Sequence, residues 1–264
     1  MQYDLLSETV SIRTVSENEK EGVFEIEGLY TGYGATVGNA LRRVLLSSLP
    51  GAAITQVKLK GASHEFTAVP GVIEDMVEIM LNLKRIRFRL NTNEPQVLSI
   101  RKKGEGEVLA SDIDVNPSVE VITPDHHIAT VTEKGAEFDM EITVEQGLGY
   151  VPAEVRRSEK LPIGVIALDA IFSPVIKVHT HVENMRVGDR TDYDRLRITV
   201  ETSGSISPSQ ALHQSTKILQ DHFIKLSEVE VKEAKPSVKS SSSKKEKDSD
   251  ESLAPKKKST KSKK

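Results

Sequence analysis

Alternating apolar and polar residues mark several short stretches of the chain. In GVFEIEGL, Phe24 and Ile26 fall on one side of an extended chain, while Glu25 and Glu27 fall on the other. The same period of two recurs in TQVKLK, RIRFRL, EFDMEITV and DRLRITVE, and PVIKVHTHV is a further strand candidate. Successive side chains of a strand point to opposite faces, so this pattern predicts half-buried strands that pair mainly antiparallel.

Three other segments carry apolar residues at helical spacing. The first follows a glycine-rich turn and covers about residues 36–48, and the third begins after Ser207. Ser207 is a suitable N-cap, Pro208 suits the first helical position, and Gln210 stands where a capping box requires it. The predicted stripes are Leu41, Val44, Leu45 and Leu49 in the first helix, Ile73, Met76, Val77, Met80 and Leu83 in the second, and Leu212, Ser215, Leu219, His222, Phe223 and Leu226 in the third.

These elements predict an α+β fold with more strands than helices. The first helix stops at Pro50-Gly51, and the polar loop VRRSEKLP ends at Pro162. We therefore expect a discontinuous domain of sheet and helices, residues 1–51 with 163–231, and an inserted, mainly antiparallel α+β domain, residues 52–162.

The net charge of −3 conceals two oppositely charged parts. Residues 232–264 hold 12 lysines against 5 acidic residues, a net charge of +7, so residues 1–231 carry −10. The acidic part is by itself a poor surface for the phosphates of a nucleic acid. The Lys/Ser-rich tail has almost no apolar side chains to bury, and we predict that it is disordered.

Composition excludes several classes of site. The chain contains no cysteine, which excludes disulfides, thiolate zinc sites and a cysteine nucleophile. No apolar run approaches the roughly 20 residues that a membrane-spanning helix needs, and the N-terminus lacks the pattern of a signal peptide. We expect a cytoplasmic protein with no membrane partner.

The glycines at 32, 34 and 38 precede a helix, and such a turn can bind phosphate. A nucleotide-dependent enzyme using this turn is therefore an alternative hypothesis. However, the dinucleotide spacing G-x-G-x-x-G requires glycine at Val37, and a P-loop requires Lys-Ser/Thr where Asn39-Ala40 stands. The favoured interpretation is that the glycines permit a tight turn and close approach of the backbone.

The sequence gives only weak evidence for a metal site or for catalytic side chains. His179 and His181 share a strand face, and His126-His127 lies in a predicted loop, but no third group of metal ligands accompanies them. A solvated strand face is the favoured interpretation. No G-x-S-x-G serine elbow is present, and nothing specific marks a pair of catalytic carboxylates.

Arg42 and Arg43 lie beside Leu46, outside the main stripe of the first helix. Most exposed arginines are simply solvated. Arginine is also favoured at interfaces where a partner presents carboxylates, because its guanidinium binds them in a bidentate way. Composition alone leaves these two interpretations equal.

Longer blocks carry more information. The block YTGYGATVGNALRRVLLSSLPGAAITQVKLKGASHEFTAVPGVIEDMVEIMLNLK closely resembles the α subunits of bacterial and plastid DNA-directed RNA polymerase. GLGYVPAE and IFSPVIKVHTHVENMRVGDRTDYDRLRITVETSGSISPSQAL resemble the same family in the same order. The resemblance covers about residues 1–231, and it implies a non-catalytic subunit of a nucleotidyltransferase complex, located in the cytoplasm with the nucleoid or in a plastid stroma.

The resemblance also implies partners. Two copies are expected to pair through helices 36–48 and 208–227, and the dimer recruits the catalytic β and β′ subunits. No cofactor is expected in this chain, since magnesium and zinc belong to other subunits in this family. The implied dimer-interface residues are Leu41, Leu45, Leu212, Leu219, Phe223 and Leu226. The implied β-contact residues are Arg42, Arg43, Leu46, Ser47, His64, Glu65, Glu74 and Asp75. The implied β′-contact residues are Ser173, Pro174, Arg186, Arg190 and Asp192.

The sequence departs from the family pattern after Val231. Most relatives carry a small helical domain there that binds upstream DNA, whereas this chain has the Lys/Ser tail without apolar periodicity. We expect DNA to be contacted only indirectly or nonspecifically through this tail. A solubilising tail with no partner is an equal alternative.

Overall fold

The computed structural model describes residues 9–157 and 162–229. The predicted disordered tail, residues 232–264, lies outside them. Contacts gather the chain as far as Ser227 into one unit, and Glu228 begins a second. The strands are β1 (Ser11–Glu17), β2 (Glu21–Leu29), β3 (Pro50–Leu59), β4 (Phe88–Leu90), β5 (Gln96–Lys103), β6 (Gly106–Leu109), β7 (Ile113–Asp114), β8 (Val119–Val121), β9 (His127–Val131), β10 (Glu137–Leu148), β11 (Tyr150–Val151), β12 (Ile166–Ala167), β13 (Ala170–Ile171), β14 (Val175–Val187) and β15 (Arg190–Thr202). The helices are α1 (Tyr33–Ser47), α2 (Met76–Leu83), α3 (Ala153–Arg157) and α4 (Pro208–Ser227), with a short 3₁₀ turn at Ala110–Asp112.

Two sheets account for most strands. One has four strands in the order β1-β2-β15-β14, and the larger has the order β7-β5-β10-β3-β4-β8, with β12 also paired to β3. Two small ladders join β11 to β13 and β6 to β9. Each of these pairings is antiparallel, which confirms the α+β fold and the strand type predicted from alternation.

Each main sheet has its own apolar core. The core of the four-stranded sheet lies under α1 and α4, and that of the larger sheet lies largely under α2 and the strands around it. The first contains Phe24, Ile26, Leu29, Leu41, Leu45, Leu49, Val175, Val178, Leu196, Ile198, Val200 and Ala211. The chain thus enters the first core, leaves it at Pro50, and returns at Val175. The division into a discontinuous domain and an insertion remains a prediction.

The second helix differs from its predicted stripe. It begins only at Met76, because the carboxylate of Asp75 caps it by accepting a hydrogen bond of 2.8 Å from the amide of Glu78. Ile73 therefore precedes the helix and is exposed, so its assignment to the buried stripe is wrong. Ile79, which the stripe omitted, is fully buried between Met76 and Leu83 at helical spacing.

The outer face of the four-stranded sheet is less open than simple alternation predicts. Glu25 does point away from Phe24, yet only 2% of it is exposed. Arg13 of β1 and Arg197 of β15 stand directly opposite Glu25 in the register, and both donate to its carboxylate. The hydrogen bond from Arg13, followed by that from Arg197, holds the pKa of Glu25 below its ordinary value.

Replacing this carboxylate tests its contribution. Because the pKa of Glu25 is lowered in the folded chain, its ionised form stabilises the fold above the ordinary pKa of 4.5, and that stability is lost as the pH falls further. We expect Glu25→Gln to unfold more easily at neutral pH and to lose less stability on acidification than the unaltered chain. Urea unfolding between about pH 7 and pH 3 measures both effects.

Glu141→Gln is the matched control, since its carboxylate is about half exposed and lies 3.4 Å from Lys58. Such a surface pair contributes little to stability. Parallel pH profiles for Glu25→Gln and the unaltered chain would contradict the assignment.

Candidate functional site

The glycine-rich turn starts α1 in a defined way. Gly32 adopts φ 85°, a left-handed conformation that favours glycine, and is the N-cap residue of the helix. The carboxylate of Asp194, on β15, accepts hydrogen bonds from the amide of Gly32 at 2.9 Å and from that of Gly34 at 3.0 Å. A buried carboxylate of the chain itself therefore occupies the position where a phosphate would bind at a helix N-terminus. This arrangement argues against the nucleotide-binding alternative.

The glycines inside α1 let the helix lie close to the sheet. A Cβ atom on Gly34 would stand 2.8 Å from Cγ1 of Val182, and one on Gly38 would stand 3.0 Å from Cδ1 of Leu196. The first distance forces a neighbour to move, and the second is tighter than ordinary packing. The interpretation of these residues as providing a tight turn and close packing is confirmed.

Two further residues of β15 contact the segment before α1. The guanidinium of Arg190 lies over the rings of Tyr30 and Tyr193, 5.1 and 5.3 Å from their centres. Asp192 accepts hydrogen bonds from Arg190 at 2.6 Å and from the hydroxyl of Thr31 at 2.9 Å. The bond from Arg190, then that from Thr31, lowers the pKa of Asp192 to about 2. Residues 190 and 192 of β15 thus contact the segment before α1, and residue 194 of the same strand contacts the start of the helix itself.

The opposite end of α1 presents its predicted β-contact residues to solvent. Arg42, Arg43, Leu46 and Ser47 are all exposed. Within the described residues, no carboxylate lies within ion-pair distance of either arginine. The hydroxyl of Ser173 donates 3.1 Å to the carbonyl of Leu46. This hydrogen bond brings together one residue predicted to contact β′ and one predicted to contact β.

The loop before α2 contains the other predicted β-contact residues. His64 and Asp75 are exposed, and Glu65 is half-buried. Glu74 is buried instead, and its carboxylate accepts from the amide of Thr130 at 2.7 Å and lies 2.9 Å from Nε2 of His127. Burial alone would raise the pKa of Glu74, but these hydrogen bonds outweigh burial and lower it. Glu74 therefore holds the loop against β9.

The remaining predicted β′-contact residues lie around β14. Pro174 is buried immediately before the strand, and Arg186 is exposed near its end, where its Nε donates 2.8 Å to the carbonyl of Gly188. His179 and His181 are exposed on the same strand. No group of three His, Cys, Asp or Glu side chains among the described residues has metal-binding geometry.

The predicted dimer residues fall into two classes. Leu41 and Leu45 are buried in the core of the chain itself, and Leu212 and Leu219 are half-buried. Every residue in the last two turns of α4 is exposed to solvent. The exposed fraction is 62% for Phe223 and 64% for Leu226. Ile224, 51% exposed, lies outside the predicted stripe, because it is one position from Phe223 and two positions from Leu226 in the helix. No helix in the described part of the chain combines the length and apolar character that crossing a membrane requires.

Comparison with known proteins finds relatives over most of the chain. Residues 57–173 match a family model described as the RNA polymerase Rpb3/RpoA insert domain. The protein named DNA-directed RNA polymerase subunit alpha from Symbiobacterium thermophilum is 49% identical over 226 residues, 84% of this chain and 71% of that protein. Its namesakes from Carboxydothermus hydrogenoformans and Alkaliphilus oremlandii are 50% and 47% identical, each over 84% of this chain and over 71% and 70% of their own lengths.

Neutralising Asp194 tests the cap of α1. Asp194→Asn keeps the size of the side chain, but it removes the negative charge at the helix N-terminus and places amide hydrogens near two backbone donors. We expect a loss of about 1–2 kcal/mol in the free energy of unfolding, measured by urea denaturation. Asp125→Asn, in an exposed loop, is the control and should change stability little. Equal stability of the two variants would show that the cap contributes nothing.

Proposed function

The chain belongs to the family of DNA-directed RNA polymerase α subunits, and we propose that it forms a homodimer on which the catalytic β and β′ subunits assemble. The observation that carries this proposal is the sequence identity of 47–50% over 84% of the chain to α subunits. The fold supplies surfaces suited to a scaffold: an apolar helix end, an exposed pair of arginines and the long hairpin of β14 and β15.

We propose that the dimer contact uses the exposed end of α4. Phe223 and Leu226 are three residues apart, so these two large apolar side chains share one exposed face of the helix. Burying such side chains against a second copy is favourable, because apolar surface leaves water. A two-fold contact applies the same patch from both copies, so a single sequence supplies both sides. Leu41 and Leu45 support this contact from within the core, and Leu212 and Leu219 lie at its margin.

The β subunit would dock on the exposed side of α1 and the loop before α2, and β′ on the region from 173 to 202. Two identical copies each carry both surfaces, yet each large subunit is present once. We therefore propose that one copy uses its β surface and the other its β′ surface. Arg190 and Asp192 serve β′ docking by holding the hairpin between β14 and β15, since their charged groups are already paired within the chain.

Other parts of the proposal follow from the family. We propose that nucleotide polymerisation, with its magnesium, and any zinc belong to the partner subunits, and that this chain contributes no catalytic residue. We also propose a discontinuous dimerisation domain, residues 1–51 and 163–231, with residues 52–162 inserted. The two separate cores and the insert-domain match at 57–173 support this division. We propose that the chain takes part in transcription and that it does so in the cytoplasm.

Charging the end of α4 tests the dimer. Phe223→Glu would bury an unpaired carboxylate at an apolar contact, which is strongly unfavourable. We expect the purified chain to sediment as a dimer at micromolar concentration and the variant as a monomer. Val97→Glu, at another exposed apolar position on β5, is the control and should stay dimeric. A monomeric unaltered chain would count against the whole proposal, and a dimeric Phe223→Glu would remove α4 from the contact.

Arg43→Ala tests capture of β. The substitution removes a charged donor from the exposed side of α1 without touching the core, and a hydrogen bond to a charged group contributes about 1.5–3 kcal/mol. We expect the dimer to persist while its affinity for purified β falls by about tenfold or more, measured by pull-down across a β concentration series. Arg101→Ala, an exposed arginine on β5, is the control. Unchanged capture by Arg43→Ala would show that this residue does not contact β.

A further inference from the structure

Four exposed apolar side chains lie around the C-terminal end of α1. They are Leu46, Leu148, Tyr150 and Ile171, with 36%, 58%, 58% and 43% of their surface exposed, and we call them the α1-end patch. None of the last three belongs to a surface considered so far. Isolated apolar side chains are common on protein surfaces, but a contiguous group indicates a contact with another molecule.

The short ladder of β11 and β13 orients two members of the patch. Tyr150 pairs directly with Ile171, so their side chains share one face of the ladder. The neighbouring pair, Val151 and Ala170, points to the other face, where Ala170 is fully buried with Phe172 and Ala53. Because that inner face is packed, Tyr150 and Ile171 can only be directed outward.

Three contacts hold this ladder: one lies within it, one joins it to the end of α1, and one seats it on β10. The amide of Phe172 donates 2.8 Å to the carbonyl of Gly149, and the hydroxyl of Ser173 donates 3.1 Å to the carbonyl of Leu46. The ring of Phe172 lies over Gly147, where a Cβ atom would stand 2.7 Å from the ring. The α1-end patch is therefore held by packed backbone next to the last turn of the helix, which suits a preformed docking surface.

The positive charge of the arginines beside the α1-end patch restricts the kind of segment that can bind there. Arg42 and Arg43 are exposed and have no ion-pair partner within the described residues. A segment that fits would bring apolar side chains flanked by carboxylates, since guanidinium groups bind carboxylates in a bidentate way. A second copy fits poorly, because a two-fold contact through this surface would place the guanidinium groups of both copies close together.

We infer that the α1-end patch and the adjoining Arg42 and Arg43 form one composite surface for an apolar, acid-flanked segment of the β subunit. This inference rests on the proposed function and extends the proposed β surface to Leu148, Tyr150 and Ile171. In interfaces of this kind, buried aromatic side chains surrounded by a polar rim dominate affinity. Tyr150 is the expected anchor.

The test uses the full chain carrying Tyr150→Ser and Ile171→Ser together. Both side chains are exposed, so the substitutions leave the two cores intact. We expect the dimer to form normally and the affinity for purified β to fall by about tenfold or more. Val97→Ser is the control, because Val97 is 65% exposed on β5, which pairs with β7 and β10 in the larger sheet.

The possible results separate this inference from the function on which it rests. Failure of the unaltered chain to bind β would overturn both. Weakened binding by Arg43→Ala together with normal binding by Tyr150→Ser/Ile171→Ser would overturn only the patch. Loss of the dimer in the double variant would assign the patch to a second copy instead. An equal loss of β binding in Val97→Ser would also overturn it, since the effect would then not depend on position.

Discussion

The hydrogen bonds from the amides of Gly32 and Gly34 to the carboxylate of Asp194 determine where α1 lies. They join the start of the helix to the centre of the four-stranded sheet, across 160 or more residues of sequence. Gly34 and Gly38 then allow the helix to pack directly on β14 and β15. This contact positions three of the surfaces proposed for partners: the exposed side of α1, the hairpin beyond β14, and α4 where it packs on α1.

Strand β15 thus has two roles. The apolar residues of β15 fill the core, while Arg190, Asp192 and Asp194 hold the segment that leads into α1. On the outer face of the sheet, Glu25 joins Arg13 and Arg197 across three strands. Charged residues in this part of the molecule therefore act largely on one another, whereas Arg42 and Arg43 on the exposed turns of α1 have no ion-pair partner among the described residues.

Much of the fold could be predicted from the sequence, because period-two alternation directly reports a strand with one buried face. The exact start of α2 could not be predicted, because it depends on the cap at Asp75. The predicted stripe therefore included Ile73, which precedes the helix, and omitted Ile79, which is buried within it. The glycine turn was ambiguous for a different reason. Its phosphate interpretation is weakened by Asp194, and no local pattern indicates which distant carboxylate will meet a helix N-terminus.

The candidate site shows the same limit. Resemblance to a family predicted contact regions on α1, the loop before α2 and β14, but it could not show that Glu74 is buried against β9 or that Arg190 stacks on tyrosines. Those facts depend on contacts between residues far apart in the chain. The exposed ladder of β11 and β13 was likewise invisible, because two-residue strands have no periodicity to detect.

The hydrogen bond between the hydroxyl of Ser173 and the carbonyl of Leu46 has a spatial consequence. It links the last turn of α1 to the chain entering β14, and the same hydroxyl also lies 3.1 Å from the carbonyl of Val175. On the proposed scaffold, the surface for one large subunit would therefore begin directly beside the surface for the other, so that a single copy would have room for only one of them.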